Sequence, residues 1–119
     1  MKNLGMMYEG GRGVQQDYSQ AVSWYRKAAE AGDAPGMTDL GVMYEKGRGV
    51  QQDDNQAVSW YRKAAEAGEP QGMNNLGWCY QAGRGVGKDR QQAVYWYRKA
   101  AQLGNQMAKD NLKRLGESP

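Results

Sequence analysis

The 119-residue chain contains no histidine, one cysteine and three prolines. Without histidine it lacks the commonest general base and the commonest metal ligand. The single thiol, Cys79, excludes an internal disulfide framework and a multi-cysteine zinc site. No run of about 18 apolar residues is present, so no transmembrane helix is expected. The N-terminus lacks the charged, apolar and small-residue zones of a signal peptide. The compartment is left open, because the chain opens part-way through a structural unit: Met1 stands only three residues before Leu4. That suggests an excised or truncated N-terminus. The net charge of +3 is mild. Its distribution is less even, since residues 1–72 carry eight Lys/Arg against ten Asp/Glu and residues 73–119 carry eight against three. The basic end is C-terminal.

What the chain has instead is repetition. Leu4, Leu40, Leu76 and Leu112 stand 36 residues apart, as do Tyr8, Tyr44 and Tyr80, and Trp24, Trp60 and Trp96. Asp17, Asp53 and Asp89 keep the same step, as do Gly32, Gly68 and Gly104. Three units follow at 1–36, 37–72 and 73–108, with 109–119 forming the rest of a C-terminal capping helix and tail. The first two units agree at 27 of 36 positions.

Each unit reads as two helices. Gly36, Met37, Leu40, Met43 and Tyr44 fall within about 60° of Leu40 on a helical wheel, an amphipathic stripe. Gly47 is a stop, and Gly47-Arg48-Gly49 a turn. Asp53 is the expected N-cap of the second helix, with Gln56 placed for a capping box; Asp17 with Gln20 and Asp89 with Gln92 repeat the arrangement. Ala57, Trp60, Tyr61, Ala64 and Ala65 line its inner face, and Gly68 ends it. The next helix opens at Asp33, Glu69 or Asn105, with Pro35 and Pro70 in the first turn, where proline is tolerated. Glu30 and Glu66, four residues after Arg26 and Arg62, are placed for surface ion pairs. Gly41 and the alanines permit close approach, and Trp60 and Tyr61 fill the space between helices. Seven helices are expected: three pairs and a terminal helix near residues 106–115. A lone pair cannot bury its apolar stripe, whereas stacked pairs share a continuous core.

The pattern M-x-x-L-G-x-x-Y, then G-x-G-V-x-x-D, then A-V-x-W-Y-R-K-A-A-x-x-G, resembles the Sel-1-like repeat, a relative of the tetratricopeptide repeat, over residues 1–108. Tetratricopeptide units share the Leu-Gly-x-x-Tyr core but run to 34 residues. In the last unit Lys113 replaces the glycine and Gly116 the tyrosine, as suits a capping helix. The resemblance implies an all-α, right-handed superhelix of stacked antiparallel helix pairs. It also implies a non-catalytic role as an adaptor that assembles protein complexes. Cysteine-rich relatives associated with penicillin binding carry paired cysteines in each repeat, which this chain lacks.

Little else in the chain suggests chemistry. "GRGVGKD", Gly83 to Asp89, approaches a phosphate loop, but Ala82 occupies the first glycine position and Asp89 the hydroxyl position, and no strand precedes it. Ser23 and Ser59 have no histidine to activate them. No catalytic residue, metal site or cofactor is expected. Arg12, Arg48 and Arg84 recur in the turns, and Arg26, Arg62 and Arg98 on the second helices. Such columns leave an RNA- or polyanion-binding solenoid as a rival reading, disfavoured by the compensating acids of the first two units. A spacer between other domains is the third reading.

A binding face follows from the helical wheel. On the first helix of each pair, offsets −2, +2, +5 and +6 from the leucine lie at about 160°, 200°, 140° and 240°, opposite the core. First helices of stacked pairs line the concave side. The +2 column is apolar: Met6, Val42 and Trp78 are expected to anchor a partner protein or peptide in the groove. Thr38, Asn74, Glu45 and Gln81 are expected to add hydrogen bonds that set its register. Trp78 has an alternative, packing over the terminal helix. Cys79, beside it, takes the core slot of Met7 and Met43 and acts as a small hydrophobe. The chain is expected to be a monomer.

Overall fold

A computed structural model describes residues 17–119. Six helices succeed one another: α1 (Tyr18–Glu30), α2 (Ala34–Lys46), α3 (Asp54–Glu66), α4 (Pro70–Ala82), α5 (Arg90–Gln102) and α6 (Gln106–Arg114). No strand occurs among the described residues. The all-α solenoid is the expected one, and the helix anticipated at the N-terminus lies outside the described residues.

Every helix begins on a side chain that accepts from an otherwise orphaned backbone N–H. Asp17, Asp53 and Asp89 accept from the N–H of Gln20, Gln56 and Gln92 at 3.0, 3.2 and 3.1 Å. Asp33 accepts from Gly36 at 3.0 Å, Glu69 from Gly72 at 3.1 Å and Asn105 from Ala108 at 2.8 Å. Pro35 and Pro70 lie at the helix starts, where their missing N–H costs nothing. The helix ends are as regular. Gly47 and Gly83 stop α2 and α4 at φ of 67° and 72°, a left-handed conformation that only glycine adopts without strain.

Small residues set how closely the helices pack. A methyl group on Gly41 would lie 2.6 Å from the Tyr61 ring, and one on Gly77 would lie 2.8 Å from the Tyr97 ring. In the second and third pairs, therefore, a tyrosine ring of the second helix touches the bare backbone of the first. Between pairs, Gly36 meets Ala28 and Gly72 meets Ala64, each at 2.7 Å from the position a Cβ would take. Tyr25, Tyr61, Tyr97, Leu40, Met43, Leu76 and Leu112 are fully buried along the resulting core.

Two expected contacts differ, one of them in part. Trp60 packs against the core of α1 and α2 as expected but stays half-buried, while Val58 is buried. Lys27, Lys63 and Lys99 cover the half-buried indoles of Trp24, Trp60 and Trp96 at 5.0, 4.5 and 5.8 Å from the ring centres. Arg26 and Arg62 do not pair with Glu30 and Glu66. They donate to the hydroxyls of Tyr44 and Tyr80 in the following pair, at 2.8 and 2.9 Å, and so tie neighbouring pairs together. At the C-terminal end Gly116 supplies no hydroxyl, and Arg98 reaches Glu117 at 3.1 Å instead.

Gly41→Ala should destabilise the chain by about 1–3 kcal/mol in urea unfolding, although alanine is the better helix former, because the tyrosine must leave its position. Gly77→Ala should behave alike; a stabilised Gly41→Ala variant would show that the close approach is not needed.

Candidate functional site

The first helices α2 and α4, together with α6, bound a cleft of about 400 Å³. Val42 and Trp78 line it one helix apart, with Met107 of α6 beyond them. Both Val42 and Trp78 are half-buried and also pack against the core. The Trp78 indole rests on a core cluster that includes Ala108 and Leu112 of the terminal helix, and it also borders the cleft. Its ring is covered at 5.5 Å by the Arg84 guanidinium. Arg84 is in turn held by Asp54 through two hydrogen bonds of 2.9 and 3.0 Å. This bidentate pair holds the Asp54 carboxyl below its ordinary pKa.

The polar lining combines Glu45, Lys46 and Arg114 with carboxamides, which are bonded to one another and to Asn105 at the start of α6. Asn111 Nδ2 donates to Asn74 Oδ1 at 2.9 Å, Asn105 Nδ2 to Gln71 Oε1 at 3.1 Å, and Gln71 Nε2 to Asn75 Oδ1 at 3.0 Å. Arg114 Nη1 reaches Asn111 Oδ1 at 3.3 Å. A carboxamide offers both a donor and an acceptor, the same two functions that an extended peptide backbone presents. Gln71, Asn75 and Asn111 were not among the residues expected to line the groove. Their signal is the clustering of amide side chains in the last unit and a half, where the earlier units carry Asp39 and Pro35.

Four residues expected to hydrogen-bond a partner are partly or wholly engaged within the fold. Thr38 is 3% exposed; its hydroxyl donates to Glu69 Oε1 at 2.6 Å, in the seam between pairs and outside the cleft. Asn74, also 3% exposed, lines the cleft with its oxygen already accepting from Asn111. Glu45 borders the cleft and accepts from the Tyr61 hydroxyl at 2.7 Å. Gln81 lies outside the cleft and accepts from the Tyr97 hydroxyl at 2.6 Å. The reason is common to them. The wheel places these positions away from their own core, but stacking brings the next first helix, or the tip of a tyrosine, across them. Met6 lies outside the described residues.

Burial pushes the phenols of Tyr61 and Tyr97 above the usual tyrosine range, Tyr61 further because Glu45 accepts its proton in a hydrogen bond. Cys79 is buried, and desolvation, helped by the charges of Glu45 and Asp54 against Arg84, pushes its thiol up to about 12. It is a core residue. Among the described residues no cluster of His, Cys, Asp or Glu could hold a metal ion, and no helix is long and apolar enough to cross a membrane.

The family model of the Sel1 repeat matches three times, at residues 1–33, 34–69 and 70–105. The second and third of these units start at the first helices of their pairs, three residues ahead of the phase set by the methionines. Three of the similar solved structures illustrate the match. The protein c5321, a protective antigen of uropathogenic Escherichia coli strains with an SLR fold, is 45% identical, with a TM-score of 0.87 over 93% of this chain and 24% of its own. A Sel1 repeat protein from Oxalobacter formigenes is 39% identical, with a TM-score of 0.88 over 98% of this chain and 49% of its own. Cysteine-rich protein B of Helicobacter pylori is 34% identical, with a TM-score of 0.76 over 82% and 74%. The chain thus spans half or less of the length of the first two. No curated protein matches it.

The three raised pKa values carry a definite sign. Groups that hold their protons more tightly when folded contribute stability below their unfolded pKa and lose it as pH rises. Stability should therefore be flat near neutrality and fall above about pH 9, as the unfolded thiol and phenols begin to ionise. Urea midpoints measured from pH 7 to 11 check this. Over the same range Cys79 should react with a thiol reagent only at the rate of unfolding; fast labelling of the native chain at pH 8 would contradict its burial.

Proposed function

This chain belongs to the Sel1 repeat family, and from that premise we propose that it holds an extended segment of a partner protein in the cleft between α2, α4 and α6. Sel1 repeat proteins are typically non-enzymatic scaffolds for protein–protein interaction. The observation that carries the reading to this cleft is the meeting of an apolar column with hydrogen-bonding amides. Val42, Trp78 and Met107 present partly exposed hydrophobic surface in a concavity whose remaining lining is Tyr61, Asn, Gln and charged side chains. Apolar anchors in a desolvated pocket contribute most of the affinity of such contacts, and the polar rim aligns the ligand.

In this reading Trp78 is the principal anchor, with Val42 beside it and Met6 continuing the column. Asn75 and Asn111 align the partner backbone through the amide functions that their bonds to Gln71 and Asn74 leave open, and Asn74, itself covered, holds Asn111 in place. Glu45 carries a second carboxylate oxygen beyond the one that holds Tyr61. Thr38 and Gln81 contribute by fixing Glu69 and Tyr97. The arginines favour a protein over a nucleic acid as the occupant. Arg84 is neutralised by Asp54, Arg48 lies over the Tyr18 ring at 5.4 Å, and Arg26 and Arg62 are bound to tyrosines. A polyanion needs an uncompensated basic track.

Affinity capture with the wild-type chain, followed by titration of the captured partner, tests the assignment. Trp78→Ala should weaken binding by about 2 kcal/mol or more while the chain stays folded, as judged by its thermal transition. Unchanged affinity in the folded variant would remove the cleft from consideration. A steep fall in affinity with salt for the wild type would point to phosphate contacts instead.

A further inference from the structure

In the second and third pairs the glycine turn rests on the start of the preceding second helix. Gly49 lies against the backbone of Tyr18 and the side chain of Val22. Gly85 lies in the same way against Asp54 and Val58, where an added Cβ would come within 2.5 Å of the Asp54 carbonyl oxygen and 2.7 Å of Val58. The arginine of each turn is received by the residue beneath it: Arg48 stacks over Tyr18, and Arg84 pairs with Asp54. The equivalent place on α5, at Arg90 and Val94, has no turn upon it. It is an open cleft of about 510 Å³, closed on one side by Glu117.

The residues of this third place differ from the other two in one direction. Between α3 and α5 the sequence changes at four positions, and all four, Arg90, Gln91, Tyr95 and Gln102, line the cleft. Arginine replaces Asp54, glutamine replaces Glu66 and tyrosine replaces Ser59. The first two changes together move the local charge three units toward positive. Tyr95 is 49% exposed on a surface where the other pairs carry serine. Arg98 and Lys99 complete the lining, so three cations face one carboxylate.

That carboxylate indicates what the cleft recognises. Arg90 and Arg98 both reach Glu117, at 3.2 and 3.1 Å. The same two arginines also take main-chain carbonyls, of Leu115 at 2.6 Å and Ser118 at 3.0 Å. The chain's own tail is therefore held as an acidic peptide would be, by one side-chain carboxylate and two backbone oxygens. We propose that the outer face of α5 is a second interaction surface, separate from the concave cleft, that binds an acidic segment of a partner protein. Its carboxylates meet Arg90, Arg98 and Lys99, and an apolar side chain lies against Tyr95 and Val94. A further repeat of this kind is a poor occupant. Arg90 repels the arginine of a Gly-Arg-Gly turn, and Lys113 stands where Gly41 and Gly77 leave room for a tyrosine ring. Nucleic acid is also disfavoured, because a phosphate backbone needs a longer uncompensated basic track than these three cations supply.

The test uses the full chain and a fluorescein-labelled peptide alternating aspartate and leucine, with an asparagine–leucine peptide and an oligouridylate of equal formal charge as comparisons. The double variant Arg90→Asp, Tyr95→Ser restores residues that α3 already carries, so the helix is retained. The aspartate peptide should bind the wild type, lose about tenfold in affinity to the double variant and bind unchanged to Trp78→Ala. The asparagine peptide should not bind, and the oligouridylate should bind more weakly. Absence of aspartate-peptide binding to the wild type, equal binding to the double variant, or equal or tighter binding of the oligouridylate would overturn the proposal. A loss in Trp78→Ala as large as in the double variant would assign the binding to the concave cleft instead.

Discussion

The contact of a tyrosine ring with a bare glycine backbone sets the geometry of this molecule. Gly41 under Tyr61 and Gly77 under Tyr97 let the two helices of a pair approach until aromatic and main chain touch. The ring then occupies the core completely, and its hydroxyl emerges at the far side to donate to Glu45 or Gln81. One side chain thus fills the interior, fixes the depth of packing and ends in a hydrogen bond on the first helix. The alanines around it matter for the same reason: at Ala28 and Ala64 the next pair approaches as closely.

From that spacing the rest of the stacking follows. Pairs held this close bring Tyr44 within reach of Arg26 and Tyr80 within reach of Arg62. They also bring the glycine turns onto the preceding helix. In a solenoid each unit contacts only its neighbours, so stability is a sum of such interfaces. The final unit changes the terms. Lys113 and Gly116 replace the glycine and tyrosine of the motif, the tail turns back, and Glu117 supplies the acceptor that tyrosine supplies in the other pairs.

The two surfaces proposed for partners arise where the repeat departs from itself. On the concave side Trp78 enlarges an apolar column that holds valine one unit earlier, and amides accumulate around it. On the outer side of α5 the departures are Arg90, Tyr95 and Gln102. Positions that carry the stacking, such as Tyr25, Tyr61 and Tyr97, do not vary among the three units. The free positions do.

Much of the fold was legible in the sequence. The 36-residue period, the caps at Asp17, Asp53 and Asp89, the glycine stops and the place of Cys79 in the core are local or periodic properties, and the backbone obeys them without help from distant contacts. Helix type, helix order and the burial of the leucine stripe belong to the same class. Tertiary structure decided which outward positions stay open. Thr38 and Asn74 point away from their own helix's core, yet the neighbouring pair covers them, because a helical wheel knows one helix and stacking adds two more. For the same reason Arg26 chose a tyrosine of the next pair over Glu30, and Trp60 stays half-buried against the core while Val58 is buried. The amide set of Gln71, Asn75 and Asn111 spans two units and forms only when α4 and α6 lie side by side.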